Sequence, residues 1–154
     1  MNHTFRLLSC LTFALVACNA DADSGTIESA NFAPSLGVDL SAMNRLPSGM
    51  YLRDLVAGGG AVVAVGQTLG MHYTGWLVNG TQFDANTAGQ SPLTFQLGAS
   101  QVIAGWDLGI VGMRVGGRRQ LVIPPSLGYG AGGSGPIPGN AILVFQVEVV
   151  SATP

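Results

Sequence analysis

An α+β fold, with one short helix laid on a curved antiparallel sheet, is predicted by three features of the 154-residue chain. Past Ser48, turn residues recur at short intervals: Gly58 to Gly60, Gly66, Asn79-Gly80, Gly89 to Pro92, Gly116-Gly117 and the long stretch Pro124 to Asn140. The apolar runs between them have the length of strands. Two of these runs alternate with period two, and a single segment carries a helical stripe. A lone helix must cover an apolar face, and such a sheet supplies one.

The chain opens with MNHTFRLLSCLTFALVAC, in which Arg6 precedes an apolar run from Leu7 to Ala17. That run is too short to span a bilayer and suits the core of a signal peptide. Its end, Leu15-Val16-Ala17-Cys18, resembles the lipobox of bacterial lipoproteins, where the cysteine is lipidated and becomes the new N-terminus. Cysteine usage agrees with this: Cys10 lies inside the removable segment and Cys18 at its end, leaving the mature domain without thiol or disulfide. A plain secreted protein cut after Ala20 or Ala22 is the alternative. From Asn19 to Pro47 small and polar residues dominate and apolar ones are scattered, so this stretch reads as a flexible tether with at most a helical turn around Val38 to Leu46.

The first clear strand is Thr68 to Val78, with Leu69, Met71, Tyr73, Gly75 and Leu77 on one face. Asn79-Gly80 then predicts a hairpin turn of the primed type. Between Gln101 and Val111, Val102, Ile103, Trp106 and Ile110 form one apolar stripe, although two glycines weaken the helix propensity. The last strand, AILVFQVEVV, places Leu143, Phe145, Val147 and Val149 on an apolar face and Gln146 and Glu148 on the other. No internal repeat, coiled-coil heptad or second domain is visible.

Composition removes several function classes. Hydrophobic residues make up 47% of the chain, enough for one core, while the net charge is −2 and the six basic residues are all arginine. Only Arg118 and Arg119 adjoin, so there is no basic face for nucleic acid. His72 is the only histidine past the leader and points away from the Tyr73 face; no serine or cysteine stands in a nucleophile elbow. The carboxylates Asp54, Asp84, Asp107 and Glu148 have no paired spacing, so neither a zinc pattern nor a calcium cage is expected, and no cofactor is implied. GYGAGG, from Gly128 to Gly133, matches G-x-G-x-x-G formally but runs into SGPIPG, where no helix can start to receive a pyrophosphate.

What remains is a set of aromatic residues drawn from different elements: Tyr73, Phe83, Phe95, Trp106, Tyr129 and Phe145. Phe95 reads as core. Burying the hydroxyls of Tyr73 and Tyr129 without partners would be costly, which places them at the polar end or rim of a cavity. The linked motifs MHYTGWLVNGTQFDAN, SPLTFQLGASQVIAGWDLGIVGMRVGGRRQLVIPPSLGYG and AILVFQVEVV resemble, in order and spacing, those of FKBP-type peptidyl-prolyl isomerases, across residues 49 to 151.

That resemblance implies a strongly curved antiparallel sheet wrapped around one short helix and acceleration of rotation about X-Pro bonds without covalent catalysis. Trp106 would form the floor under the proline ring, with Tyr73, Phe83, Val102, Ile103 and Phe145 as walls. Tyr129 would offer its hydroxyl and Ile103 its N–H to the substrate carbonyl, Leu93 would flank the site, and Ile137 would close one side. Asp84 would accept at the edge, from the Tyr73 hydroxyl. Leu93 stands where an aromatic is common, Gln101 replaces an acidic residue, Ser134 replaces a common histidine, and no arginine follows Asp84 in its loop. These departures bear on substrate preference and macrolide affinity. The expected partners are proline-containing polypeptides and the family's macrolide inhibitors, with the domain itself monomeric. The organisation expected is a leader at 1–17, a lipidated N-terminus and tether at 18–47, and the isomerase domain at 48–154. The expected place is the bacterial envelope, lipid-anchored and facing the periplasm, with the outer membrane favoured by Asn19; secreted or soluble periplasmic protein is the alternative. A non-catalytic module holding proline-containing segments is the rival function.

Overall fold

The computed structural model describes residues 26–154. The leader and Cys18 lie outside them. Among the described residues seven strands form one antiparallel sheet: β1 (Asn44–Arg45), β2 (Tyr51–Val56), β3 (Thr68–Leu77), β4 (Gln82–Asn86), β5 (Leu93–Gln96), β6 (Arg118–Ile123) and β7 (Leu143–Thr153). Their order is β1-β2-β6-β7-β3-β4, with β5 also on β3. One edge of β3 is paired along its whole length with β7; the other is shared, with β5 pairing Thr68 to Met71 and β4 pairing Tyr73 to Trp76.

The predicted alternation is realised on both faces. Leu69 and Met71 of β3, Leu121 and Ile123 of β6, and Leu143, Phe145, Val147 and Val149 of β7 are buried in one core cluster with Trp106 and Ile110. Helix α1 (Ala104–Gly109) lies against this face and is shorter than the predicted 101–111. Its start is held back because the Asp107 carboxylate accepts the amides of Gly98 and Ser100 at 2.8 and 3.0 Å, and Ser100 is left-handed (φ 56°). Beyond its end, Gly112 turns the chain with φ 81°. The two glycines that lower helix propensity are contact points. A Cβ on Gly105 would stand 2.6 Å from Ile123 Cγ2, and one on Gly109 would stand 2.8 Å from Met50 Cε. Their bareness lets a six-residue helix approach the sheet closely.

Two expectations need correcting. The hairpin after β3 is not of the primed type: Asn79 does not take positive φ, Gly80 alone does (88°), and its N–H bonds to the Leu77 carbonyl. This is the geometry of a type I turn followed by a left-handed glycine bulge, with the Asn79 side chain accepting from Thr81 N–H at 3.0 Å.

The second correction concerns the tether. From Ile27 onward it is a strap packed across the outer face of the sheet. Ile27, Leu36 and Met43 are buried with Tyr51, Val122, Ile142 and Val144, and Trp76 packs against the same cluster. Three short 3-10 turns, Ile27–Ser29, Pro34–Leu36 and Leu40–Ala42, shape it; the last falls within the anticipated Val38 to Leu46 turn. Specific polar contacts fix its register. The buried Gln120 donates to the Leu36 carbonyl at 2.8 Å, Arg53 donates to the Gly37 carbonyl at 3.1 Å, and Ala33 N–H donates to Val78 at 2.8 Å. Near its start, Glu28 accepts from the Tyr51 hydroxyl at 2.7 Å and from Arg45 at 3.0 Å. Each large apolar side chain so buried contributes about 1.5–3 kcal/mol as an upper bound.

Candidate active site

A cavity of about 170 Å³ opens between β3, β4, the segment leading into α1 and the long loop after β6. It is lined by Tyr73, Phe83, Asp84, Leu93, Gln101, Val102, Ile103, Trp106, Tyr129 and Phe145. Its aromatic rings hold one another at defined angles. Trp106 meets Tyr73 edge to face at 5.0 Å (79°) and Phe145 at 5.4 Å (83°), and Phe83 meets Phe145 at 5.5 Å (85°). Such edge-to-face contacts put positive ring edges on negative faces and contribute about 0.5–1.5 kcal/mol each beyond area burial. Gly75 makes the Phe83–Phe145 pair possible, since a Cβ there would fall 2.6 Å from the Phe83 ring and 2.7 Å from Phe145.

Trp106 is 4% exposed, and its indole N–H is buried with no acceptor among the described residues. The Trp106 ring, packed edge to face against Tyr73 and Phe145, forms the floor of the cavity. At the rim stand Tyr129 (39% exposed) and Leu93 (37%). The Tyr73 hydroxyl donates to Asp84 Oδ2 at 2.7 Å. Burial first, then the hydrogen bond to Asp84 and its negative charge, raise the Tyr73 phenol far above its ordinary range; burial and Asp84 raise Tyr129 as well. Both are protonated donors at neutral pH, as an ordinary phenol already is. The Ile103 N–H is accepted by no described residue, while the Ile103 carbonyl receives the Trp106 and Asp107 amides at the start of α1.

Nine of the ten site residues expected within the domain line this cavity; Ile137 does not. Paired with Ser134 through two 2.9 Å backbone hydrogen bonds, Ile137 is turned into the core and is 6% exposed. Gln101 was missed as a lining residue. Its position next to the Val102-Ile103 pair was the available signal, and its amide oxygen accepts from Gln96 N–H at 2.9 Å. His72 faces the outer side, where its Nδ1 lies 2.8 Å from Asn86 Oδ1. A second concavity, of about 150 Å³, lies there and is lined by His72, Thr74, Asn86, Arg118, Gln146 and Glu148 among others.

A curved antiparallel sheet closed by one short helix over an aromatic cavity defines the FKBP-like class of fold. The chain belongs to the FKBP-type peptidyl-prolyl cis-trans isomerases, whose family pattern its residues 60–150 match, and it is a peptidyl-prolyl isomerase. It is 48% identical over 103 residues to an FK506-binding protein of Neisseria meningitidis serogroup B, covering 66% of this chain and 94% of that one. Its fold superposes on the crystal structure of AtFKBP13 with a TM-score of 0.65 at 40% identity, covering 72% of this chain and 98% of that chain. It also matches FkpA from Escherichia coli with a TM-score of 0.67 at 35% identity, covering 73% of this chain and 52% of the longer FkpA chain.

Proposed function

We propose that this isomerase works on exported polypeptides by holding the twisted X-Pro amide in the Trp106 cavity. In the planar amide, resonance separates charge and sets a barrier of about 18–20 kcal/mol. At the transition state the bond is twisted, that resonance is lost and the carbonyl is less polarised. Nonpolar walls therefore disfavour the planar form more than the twisted one. A barrier lowered by about 5 kcal/mol corresponds to roughly four orders of magnitude in rate. The proline ring rests on Trp106 between Tyr73, Phe83, Val102, Ile103 and Phe145. The Tyr129 hydroxyl and the Ile103 N–H donate to the substrate carbonyl, and Asp84 holds the Tyr73 hydroxyl at the edge. The observation that supports this reading is one cavity that joins the buried Trp106 ring, packed edge to face by Tyr73 and Phe145, to the phenols of Tyr73 and Tyr129. Because the relatives are named for FK506, the same cavity is also the expected place for macrolide competition.

Exchange spectroscopy on a short X-Pro peptide tests this directly. The expected result is cis/trans exchange far above background, with intermolecular contacts from the proline ring to Trp106 and Tyr129. Binding without acceleration, or proline contacts elsewhere, would overturn the proposal.

We also propose that Cys18 is acylated, attaching the domain to the bacterial envelope on the periplasmic side, with Asn19 favouring the outer membrane. Acyl chains contribute about 0.8 kcal/mol per buried methylene, so several make the attachment effectively permanent. Among the described residues the first packed one is Ile27, and the nine residues from Asn19 to Ile27 can span at most roughly 30 Å. Labelled fatty acid should be incorporated by the parent and not by Cys18→Ser; continued labelling of that variant would refute acylation there.

A further inference from the structure

Helix α1 presents Trp106, yet little in its own sequence holds it. Six residues give too few hydrogen bonds to offset helix nucleation, Gly105 and Gly109 add backbone freedom, and Ile103 at the N-cap makes no side-chain cap. The last carbonyls of any helix lack intrahelical partners. Here one side chain takes the last of them. Arg119 lies on the concave side of β6, 7% exposed, and its Nη1 donates to the Gly109 carbonyl at 2.8 Å and the Val111 carbonyl at 3.3 Å. The remaining guanidinium edge meets Asp54 of β2 bidentately, Nε to Oδ1 at 2.6 Å and Nη2 to Oδ2 at 3.2 Å. Asp54 and Arg119 are direct cross-strand neighbours, so the sheet register itself sets the guanidinium's position.

The connection to the cavity is short. Ile110 N–H bonds to the Trp106 carbonyl at 3.0 Å, so the turn that Arg119 clamps is the turn that carries Trp106. Gly109 is also wedged between Met50 and Leu121, which leaves the clamped end little freedom to slide. We infer that Arg119, aimed by Asp54, is a positioning residue for the isomerase reaction: it holds α1 at the depth where the Trp106 ring forms the cavity floor. A planar fork suits this task better than an ammonium, because it can serve two carbonyls and a carboxylate at once.

The test uses the two tryptophans of the chain as reporters, Trp106 under the cavity and Trp76 under the strap. Their indole N–H resonances and the exchange rate of an X-Pro peptide are recorded for Arg119→Met, Asp54→Asn and Val122→Ala. Val122 is buried on the opposite face of β6, so its truncation lowers stability without touching α1. In folded Arg119→Met the Trp106 resonance should move while that of Trp76 stays, and the catalysed rate should fall about tenfold. Asp54→Asn, a change at a half-exposed position, should move the same resonance in the same direction with a smaller, about threefold, loss. Val122→Ala should change neither. A folded Arg119→Met with an unmoved Trp106 resonance and a rate within twofold of the parent would overturn the inference, as would an equal loss in Val122→Ala. If Arg119→Met does not fold, Asp54→Asn decides: an unmoved resonance and an unchanged rate there reject the role.

Discussion

At the scale of single residues, the cavity depends on which polar groups are kept and which are hidden. Among the described residues Asp84 is the one carboxylate on the cavity wall, and it is engaged: it accepts the Tyr73 hydroxyl at 2.7 Å and its charge raises both phenols further above their ordinary range. Replacing it with asparagine leaves an acceptor oxygen in place but removes the charge assistance, which roughly halves such a bond. Asp84→Asn should therefore slow isomerisation about three- to tenfold in the peptide exchange assay without abolishing it. Complete loss in a folded variant would show that the charge itself acts on the twisting amide. The Tyr73–Asp84 contact was implied by the family resemblance, and the pairing of β3 with β4 brings the two side chains within reach. The inward turn of Ile137 was not, since two loop hydrogen bonds to Ser134 decide it and no periodicity reports them.

Elements add a constraint that propensity scales do not contain. Alanine at Gly105 should favour the isolated helix by about 1 kcal/mol. In the folded protein its Cβ would lie 2.6 Å from Cγ2 and 2.8 Å from Cδ1 of the fully buried Ile123. Overpacking of this kind costs about 1–3 kcal/mol, so Gly105→Ala should lower the stability read by urea unfolding by a net of up to about 2 kcal/mol despite the better helix former. A stabilised variant would mean that α1 can lift from β6 without penalty. The apolar stripe of Gln101 to Val111 did identify where the helix lies. Its true length could not be read there, because Asp107 satisfies the Gly98 and Ser100 amides and Arg119 satisfies the Gly109 and Val111 carbonyls, contacts made with loops and strands outside the stripe.

For the whole molecule, the strap changes what the N-terminal region is for. Residues 27 to 45 shield Val122, Val144 and Trp76, which would otherwise leave an apolar patch on the outer face of the sheet. Its start is held by a titratable group. The Tyr51 hydroxyl foremost, then a backbone hydrogen bond and Arg45, lower the Glu28 carboxyl from 4.5 to about 2. A carboxyl depressed on folding contributes stability that is complete above its unfolded value and is lost as pH falls through the folded one. Melting temperature should therefore decline between pH 4.5 and 2 more steeply in the parent than in Glu28→Gln, with the two curves parallel above that window. Parallel curves throughout would mean that Glu28 does not couple strap docking to pH. Because Glu28 is about half-exposed, salt should weaken the difference.

The amino-acid sequence by itself determined β3 and β7 with their inward faces and the place of the helix, and its family resemblance supplied the cavity-lining residues other than Gln101. Each of these depends on local period or on linked motifs, which a linear chain displays directly. Tertiary structure alone decided that residues 27 to 45 are packed, that Gly105 and Gly109 are contact points, and that Arg119 clamps the helix under the cavity. Those outcomes rest on partners far apart in the chain, such as Gln120 with Leu36 and Arg119 with Asp54, 84 and 65 residues distant. Hydrogen bonds of that range leave no periodic trace in either partner's neighbourhood, so only the folded sheet brings them into view.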